Sequence, residues 1–176
     1  MSTEEAVDIV DEHDAVVGSS TVGECTRLGL IHRAVAVLVV RSTGKFLLQQ
    51  RSRGDSWHPG LWTLSCTGHV RLGEAYEAAA KRELYEEIGV STTLTLVRKR
   101  LLPPIRSAGL TEHEWVASYV AHTDMPCRLD RTELEGVEEL GEAEVRRMSD
   151  NGLMTPDAVM LLSDYIGSGA QSKHLI

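Results

Sequence analysis

The chain has 176 residues, of which 42% are hydrophobic and 25% are charged, and its formal net charge is -8. This length suits one domain with a substantial core, so residues 1–176 are predicted to form a single domain. The acidic excess argues against a nucleic-acid surface built on a basic patch, because phosphate binding by side chains needs clustered Lys and Arg. A phosphate-bearing substrate would instead need a divalent metal ion held by carboxylates.

Neither the cysteines nor the N-terminus indicates export. Three cysteines without a CxxC pair favour neither a disulfide framework nor a zinc ribbon, and we expect a cytoplasmic protein. The acidic N-terminus lacks the apolar segment of a secretory signal. The longest apolar run, residues 34–40, is far shorter than the roughly 20 residues of a membrane span. We therefore expect neither a membrane nor a nucleic-acid partner, while a homodimer is compatible with the sequence.

Short apolar runs typical of strands alternate with two helical patterns. A hairpin is predicted at about residues 6–18, with a polar turn at residues 11–14. The other predicted strands are residues 33–40, 45–51, 61–68, 92–97 and 114–121. One helix is predicted at about residues 73–88, and a second begins at Pro156 with Thr155 as its N-cap. Strands with helices between them favour a layered α/β or α+β domain.

The helix at residues 73–88 carries a concentrated group of carboxylates. Glu83, Glu86 and Glu87 stand at positions i, i+3 and i+4, so they share one region of the helix surface. They also lie in its C-terminal half, where the helix dipole disfavours negative charge. Most glutamate runs are solvated surfaces. Here the arrangement favours a missing cation, and Mg²⁺, which prefers oxygen ligands, fits it.

The flanking residues extend this pattern. Five residues separate Gly68 from Glu74, and seven more separate Glu74 from "RELYEEIGV". This spacing matches every specified position of the Nudix box across residues 68–90. With average residue frequencies, a chance match is on the order of one in a billion per starting point. The sequence therefore resembles the Nudix superfamily over most of its length.

This resemblance implies a mixed β-sheet in an α/β/α sandwich and a hydrolase that acts on a small-molecule diphosphate. It implies that Mg²⁺ or Mn²⁺ is bound by the Gly68 carbonyl and by the three box glutamates already named. The general base is predicted to be one of those glutamates or Glu114. Arg82 can reach Glu86 one turn away and orient it. Arg51, Arg53 and Arg82 are the predicted substrate-binding residues.

A narrower resemblance is to type I isopentenyl diphosphate isomerases, carried by "LGLIHRAVAVLVV", "KFLLQQRS", "HPGLWTLSCTGH" and "TEHEW". That family implies a second metal site, and the matching positions are His32, His69, Glu112 and Glu114, while a further histidine position falls at about Cys25. The i, i+2 spacing of the two glutamates would place both carboxylates on one face of a strand. We expect these four residues to form a ligand cluster or a polar wall facing the substrate.

Several residues of the isomerase pattern are missing. The catalytic cysteine's position is Thr67, and the adjacent Cys66 should point to the opposite face of its strand. The aromatic residue that would shield a carbocation falls near Asp157. Of the basic residues that grip diphosphate, Arg51 remains, whereas the others fall on Thr21, Asp55 and Glu83. Because the hydrolytic box is complete, we predict a hydrolase, with isopentenyl diphosphate isomerase as the alternative.

Overall fold

In this computed structural model, residues 4–55, 57–128 and 134–168 are described. The predicted single domain also includes residues 1–3 and 169–176, which lie outside that part of the chain. The described residues form eleven strands and four helices. The strands are β1 (Ala6–Val10), β2 (Val16–Thr21), β3 (His32–Val40), β4 (Phe46–Arg51), β5 (Trp62–Thr63), β6 (Cys66–His69), β7 (Thr95–Leu101), β8 (Ile105–Ser107), β9 (Leu110–Glu112), β10 (Glu114–His122) and β11 (Leu134–Leu140). The helices are α1 (Val22–Leu28), α2 (Tyr76–Ile88), α3 (Glu142–Asp150) and α4 (Pro156–Gly167).

Nine of the strands form one mixed sheet, and β8 and β9 pair separately. The central strand β3 pairs with β1, β4, β6 and β10. Strand β10 runs parallel to β3, with Glu114 opposite His32 and His122 opposite Val40. The pairings of β3 with β1, β4 and β6 are antiparallel. The parallel pair therefore brings Glu114 and His32 to the same end of the sheet.

Helices cover both faces of the sheet, which confirms the predicted α/β/α arrangement. Along β3, Val35, Val37 and Val39 pack in one core cluster with buried residues of α2. The alternating residues Ala34 and Ala36 pack in a second cluster with α3 and α4. This alternation is the period of two that a strand buried on both faces requires. The side chain of each residue on β3 or β6 can therefore be assigned to the α2 face or the α4 face.

The predicted elements agree with the structure in type more closely than in their ends. The hairpin is confirmed as β1 and β2, although β2 continues to Thr21. Helix α2 begins at Tyr76 and ends before Gly89, whose φ of 69° is the left-handed geometry expected of a glycine cap. Helix α4 follows Thr155 and begins with Pro156, as predicted.

Other elements were misplaced or not predicted. The strand expected at residues 92–97 is β7, which instead begins at Thr95 and extends to Leu101. The shift arises because the charged residues 98–100 also pair with β10. Helices α1 and α3, the β8–β9 hairpin and β11 were not predicted at all. Among the described helices, none is long and apolar enough to cross a membrane.

Candidate active site

The box helix packs against β6 at Gly68. Gly68 pairs with Val35 and therefore faces α2, and a Cβ built on Gly68 would overlap the carboxyl carbon of Glu83. The missing side chain leaves a space that the Glu83 carboxylate fills. Burial raises the pKa of Glu83 to about 7, against the opposing effect of Arg82. A carboxylate held here beside other glutamates fits a site for a hard divalent cation, which would favour its charged form.

The other two box glutamates occupy different environments. Glu87 is buried with Glu83 on the inner side of α2, whereas the Glu86 side chain is half-exposed. Arg82 connects the two environments, since its Nη1 donates to Glu83 Oε1 at 2.5 Å and to Glu86 Oε2 at 3.3 Å. The carboxylates thus extend from the sheet to the solvent. A metal ion with a substrate on its outer side would need this arrangement.

Arg82 is fully occupied by contacts within the box. Its remaining donors contact both oxygens of Glu74, at 3.0 and 2.8 Å, and the His69 carbonyl at 3.0 Å. A guanidinium has five N–H donors, and each has a partner here. The Arg82 cation also lowers the pKa of Glu74. These contacts favour an orienting role for Arg82 over the substrate-binding role predicted from the sequence.

A second cluster lies on the opposite face of the sheet. One ligand atom from each of His32, His69 and Glu114 falls in a group whose members are all within 4.8 Å of one another. Glu114 Oε1 lies 3.2 Å from His32 Nε2 and 3.4 Å from His69 Nε2. Burial lowers the pKa of His32, but the hydrogen bond and the charge of Glu114 raise it above its ordinary value. Burial alone would raise the pKa of Glu114, but the hydrogen bonds and charges of the two histidines hold it well below its usual range.

The donor set of this cluster fits a metal ion. His32 Nδ1 lies 3.0 Å from the Leu30 carbonyl, which only accepts, so Nδ1 carries the hydrogen. The other ring nitrogen, Nε2, faces the carboxylate, and once deprotonated it would present its lone pair to a metal ion. Metal-binding histidines are commonly oriented in this way by a carbonyl behind the ring. Cys25, considered from sequence as a further ligand, packs instead in an apolar cluster with Val7 and Val22.

A cavity of about 50 Å³ opens beside the histidine cluster. It is lined by side chains from several elements, including Arg51, Trp57, Thr67, His69, Glu112, Glu114, Asp157 and Leu161. Glu112 ends β9 and Glu114 begins β10, so the expectation that one strand carries both was wrong. The two strands pair with different partners, β9 with β8 and β10 with β3 and β7, and the His113 carbonyl between them accepts a hydrogen bond from the His32 amide. Both glutamates nevertheless reach the cavity.

The cavity wall carries two acidic side chains besides Glu114, those of Glu112 and Asp157. Burial, together with the charges of Glu114 and Asp157, raises the pKa of Glu112 well above its ordinary value. Burial likewise raises the pKa of Asp157. Arg51 lines the same cavity, but it donates to Asp55 at 2.7 Å and to the Trp57 carbonyl at 2.8 Å. A polar ligand group fits such a wall better than an alkene does.

Of the arginines and cysteines considered from the sequence, some lie at the cavity and others do not. Arg53 is exposed and is not part of the cavity wall formed by the described residues, so the structure brings only Arg51 of this pair to the cavity. Thr67 lines the cavity, whereas Cys66 is fully buried on the α2 face with Val35 and Val37. Burial and the nearby glutamates raise the pKa of the Cys66 thiol well above its ordinary value. Trp57, expected in the core, is buried and also contributes to the cavity.

A family model described as the NUDIX domain matches residues 30–164. The chain belongs to the Nudix family. An isopentenyl-diphosphate Delta-isomerase of Photorhabdus laumondii is 37% identical, and the match covers 69% of this chain and 68% of the relative. An uncharacterized Nudix hydrolase of Pseudomonas aeruginosa is 31% identical, with 94% and 95% covered. The Nudix fold is also shared with a solved protein of Deinococcus radiodurans at a TM-score of 0.74, with 24% identity and 92% and 99% covered.

Proposed function

We propose that this Nudix protein is a divalent-metal-dependent hydrolase that cleaves a diphosphate linkage in a nucleotide-like or other diphosphate substrate. The proposal rests chiefly on the complete set of box carboxylates, organised by Arg82 against the space that Gly68 leaves. A protein that used this scaffold only for binding would not be expected to keep every glutamate of the box.

The proposed roles are metal binding, orientation of the carboxylates and proton acceptance. Glu83, Glu86 and Glu87, with the Gly68 carbonyl, would hold Mg²⁺ or Mn²⁺. When bound, the ion would neutralise phosphate charge and lower the pKa of a water molecule. Arg82 keeps Glu83 and Glu86 in place through its two Nη1 contacts. Glu114 is occupied by His32 and His69, so we propose that a box glutamate accepts the proton of the attacking water.

Isomerisation of isopentenyl diphosphate is the second candidate. It is favoured by the name of the Photorhabdus laumondii relative and by the His32–His69–Glu114 cluster next to the cavity. That reaction needs a proton donor and a proton acceptor on opposite sides of an alkene. The hydroxyl of Thr67 is a weak acid, and Cys66 faces away from the cavity. Asp157 also replaces the aromatic surface expected beside a carbocation.

The test is a panel of nucleoside diphosphates and triphosphates, sugar nucleotides, dinucleotides and isopentenyl diphosphate with Mg²⁺ or Mn²⁺. Phosphate-containing products and the allylic isomer are measured in parallel. We expect metal-dependent hydrolysis that falls by on the order of 100-fold or more in Glu87→Gln. Glu77→Gln is the matched control, because Glu77 lies on the same helix and pairs with Lys81 at the surface. Isomer formation without hydrolysis would contradict the proposal and support the second candidate.

A further inference from the structure

Arg71 lies within the span of the box, at a position that the box does not specify. Its amide donates to Glu74 Oε2 at 3.0 Å, and its carbonyl accepts from the Glu74 amide at 2.8 Å. It also forms an isolated bridge with Val7 of β1. These contacts hold the Arg71 backbone at the start of the loop that leads into α2. The starting point of its side chain is therefore fixed relative to the box carboxylates.

The Arg71 side chain extends over the solvent side of the box. Its Nε donates to Glu5 Oε1 at 2.5 Å, and its Nη2 lies 3.7 Å from Glu86 Oε2. The side chain is 47% exposed, compared with 16% for Arg82. The distance to Glu86 is too long for a hydrogen bond. Among the described residues, the contacts of Arg71 thus leave its two terminal nitrogens able to donate to a ligand.

A diphosphate at this site would need such a donor. The box presents three carboxylates on α2, and Arg82 has no N–H left to donate. Within the described residues, Glu86 forms ion pairs with Arg71 and Arg82. Arg71 is thus the cation that can move from Glu86 to an incoming anion. The planar fork of a guanidinium matches two phosphate oxygens. Glu5 can keep its contact with Nε while the terminal nitrogens donate to the phosphate.

We propose that Arg71 is a substrate-binding residue that donates from its terminal nitrogens to a phosphate oxygen of the diphosphate beside Glu86. This inference rests on the proposed hydrolase function, since it assigns a partner to the substrate of the same site. Arg71 acts by direct contact, and Arg82 acts only by orienting the glutamates.

The experiment measures binding of methylenediphosphonate, a diphosphate that cannot be hydrolysed at its bridge, by calorimetry with saturating Mg²⁺. We expect Arg71→Gln to weaken binding on the order of tenfold, because a charge-assisted pair is lost. Arg71→Lys should recover part of the affinity, since it keeps the charge without the fork. Glu5→Gln should bind close to the wild type, because the amide oxygen can still accept from Nε and the terminal nitrogens are unchanged.

Two controls distinguish direct binding of the diphosphate by Arg71 from an indirect effect on Glu86 and its metal ion. Arg98→Gln removes an exposed arginine that pairs with Asp164 on another part of the surface, and it should bind like the wild type. Mg²⁺ affinity, measured alone, should be unchanged or higher in Arg71→Gln. A matching loss of Mg²⁺ affinity would mean that Arg71 only positions Glu86, which would overturn the inference. Equal diphosphate binding by wild type and Arg71→Gln would overturn the inference alone, whereas no binding by the wild type would contradict the proposed function as well.

Discussion

His32 and Glu114 face each other across the parallel strands β3 and β10, with Nε2 of the imidazole 3.2 Å from Oε1 of the carboxylate. Both side chains are buried, and the Leu30 carbonyl orients the far side of the ring. His69 approaches the same oxygen from β6. Three strands therefore converge on one carboxylate oxygen. Two imidazoles and a carboxylate whose ligand atoms lie this close together would suit a single divalent ion.

We predict that the wild-type protein binds Mn²⁺ at two sites, one at the box and one at this cluster. Glu114→Gln should lose one of them, with an affinity loss on the order of 100-fold, since even outer contacts of a metal site are worth roughly 10- to 100-fold. Stoichiometry is measured by calorimetry and by metal analysis after gel filtration. His13→Asn, at the exposed hairpin turn, is the control. Two sites of unchanged affinity in Glu114→Gln would show that the cluster is not a metal site.

The space at Gly68 gives a second prediction. Gly68→Ala places a methyl group where the Glu83 carboxyl carbon lies, so Glu83 must move away from β6. We expect a loss of about 1–3 kcal/mol in the free energy of unfolding, as for other overpacked sites. Metal-dependent hydrolysis should fall at the same time. Denaturant titration and turnover are measured together.

Gly136→Ala provides the matched control for this change, because a Cβ there would meet no atom within 4 Å. It also lies in a strand and should leave both measurements close to the wild type. If Gly68→Ala retained full activity, the close approach of Glu83 to β6 would not matter for the reaction.

Neighbouring residues on β6 should respond differently to the loss of their side chains. Cys66→Ala removes a buried sulfur from the α2-side core, so it should lower the free energy of unfolding by about 1–2 kcal/mol. It should leave turnover unchanged. Thr67→Ala alters the cavity wall and should change kcat or KM several-fold with a smaller loss of stability. Loss of turnover in a folded Cys66→Ala would contradict the placement of this thiol in the core.

The sequence predicted those parts of the site that depend on local spacing. Positions i, i+3 and i+4 of a helix determine how Glu83, Glu86 and Glu87 are arranged, and a glycine after the helix indicates its end. Alternation along a strand likewise predicted that Cys66 and Thr67 face opposite sides.

Contacts between distant segments could not be predicted in this way. Arg71 meets Glu5, which lies 66 positions away, because β1 folds back beside the loop before α2. Strands β9 and β10 pair with different partners, β8 and β3 respectively, and no periodicity around His113 signals that change of partner. Arg51 pairs with the nearby Asp55, but the place of Arg51 in the cavity wall, beside residues of β6 and α4, depends on tertiary packing. Tertiary packing therefore determines which polar residues meet.

Asp14 connects the N-terminal hairpin to the rest of the domain, and its loss should destabilise the fold in a pH-dependent way. Its side chain accepts from Arg33 Nε at 2.6 Å, from Lys99 Nζ at 2.7 Å and from the Tyr76 hydroxyl at 3.0 Å. Burial alone would raise the pKa of Asp14, but the hydrogen bonds from Lys99 and Arg33 lower it below its ordinary value. The charged form is thus stabilised by folding.

Because the folded pKa is lowered, the contribution of Asp14 is complete above its unfolded pKa of about 3.9 and is lost as the pH falls through the folded value. We expect Asp14→Asn to lower the free energy of unfolding by about 1–3 kcal/mol at pH 7, since the largely buried Arg33 loses its charged partner and the exposed Lys99 contributes less. The difference from the wild type should shrink below about pH 4. Urea titrations at several pH values measure it, with Glu12→Gln as an exposed control in the same turn. A difference that stayed constant down to pH 3 would mean that the carboxylate charge is not what holds the hairpin in place.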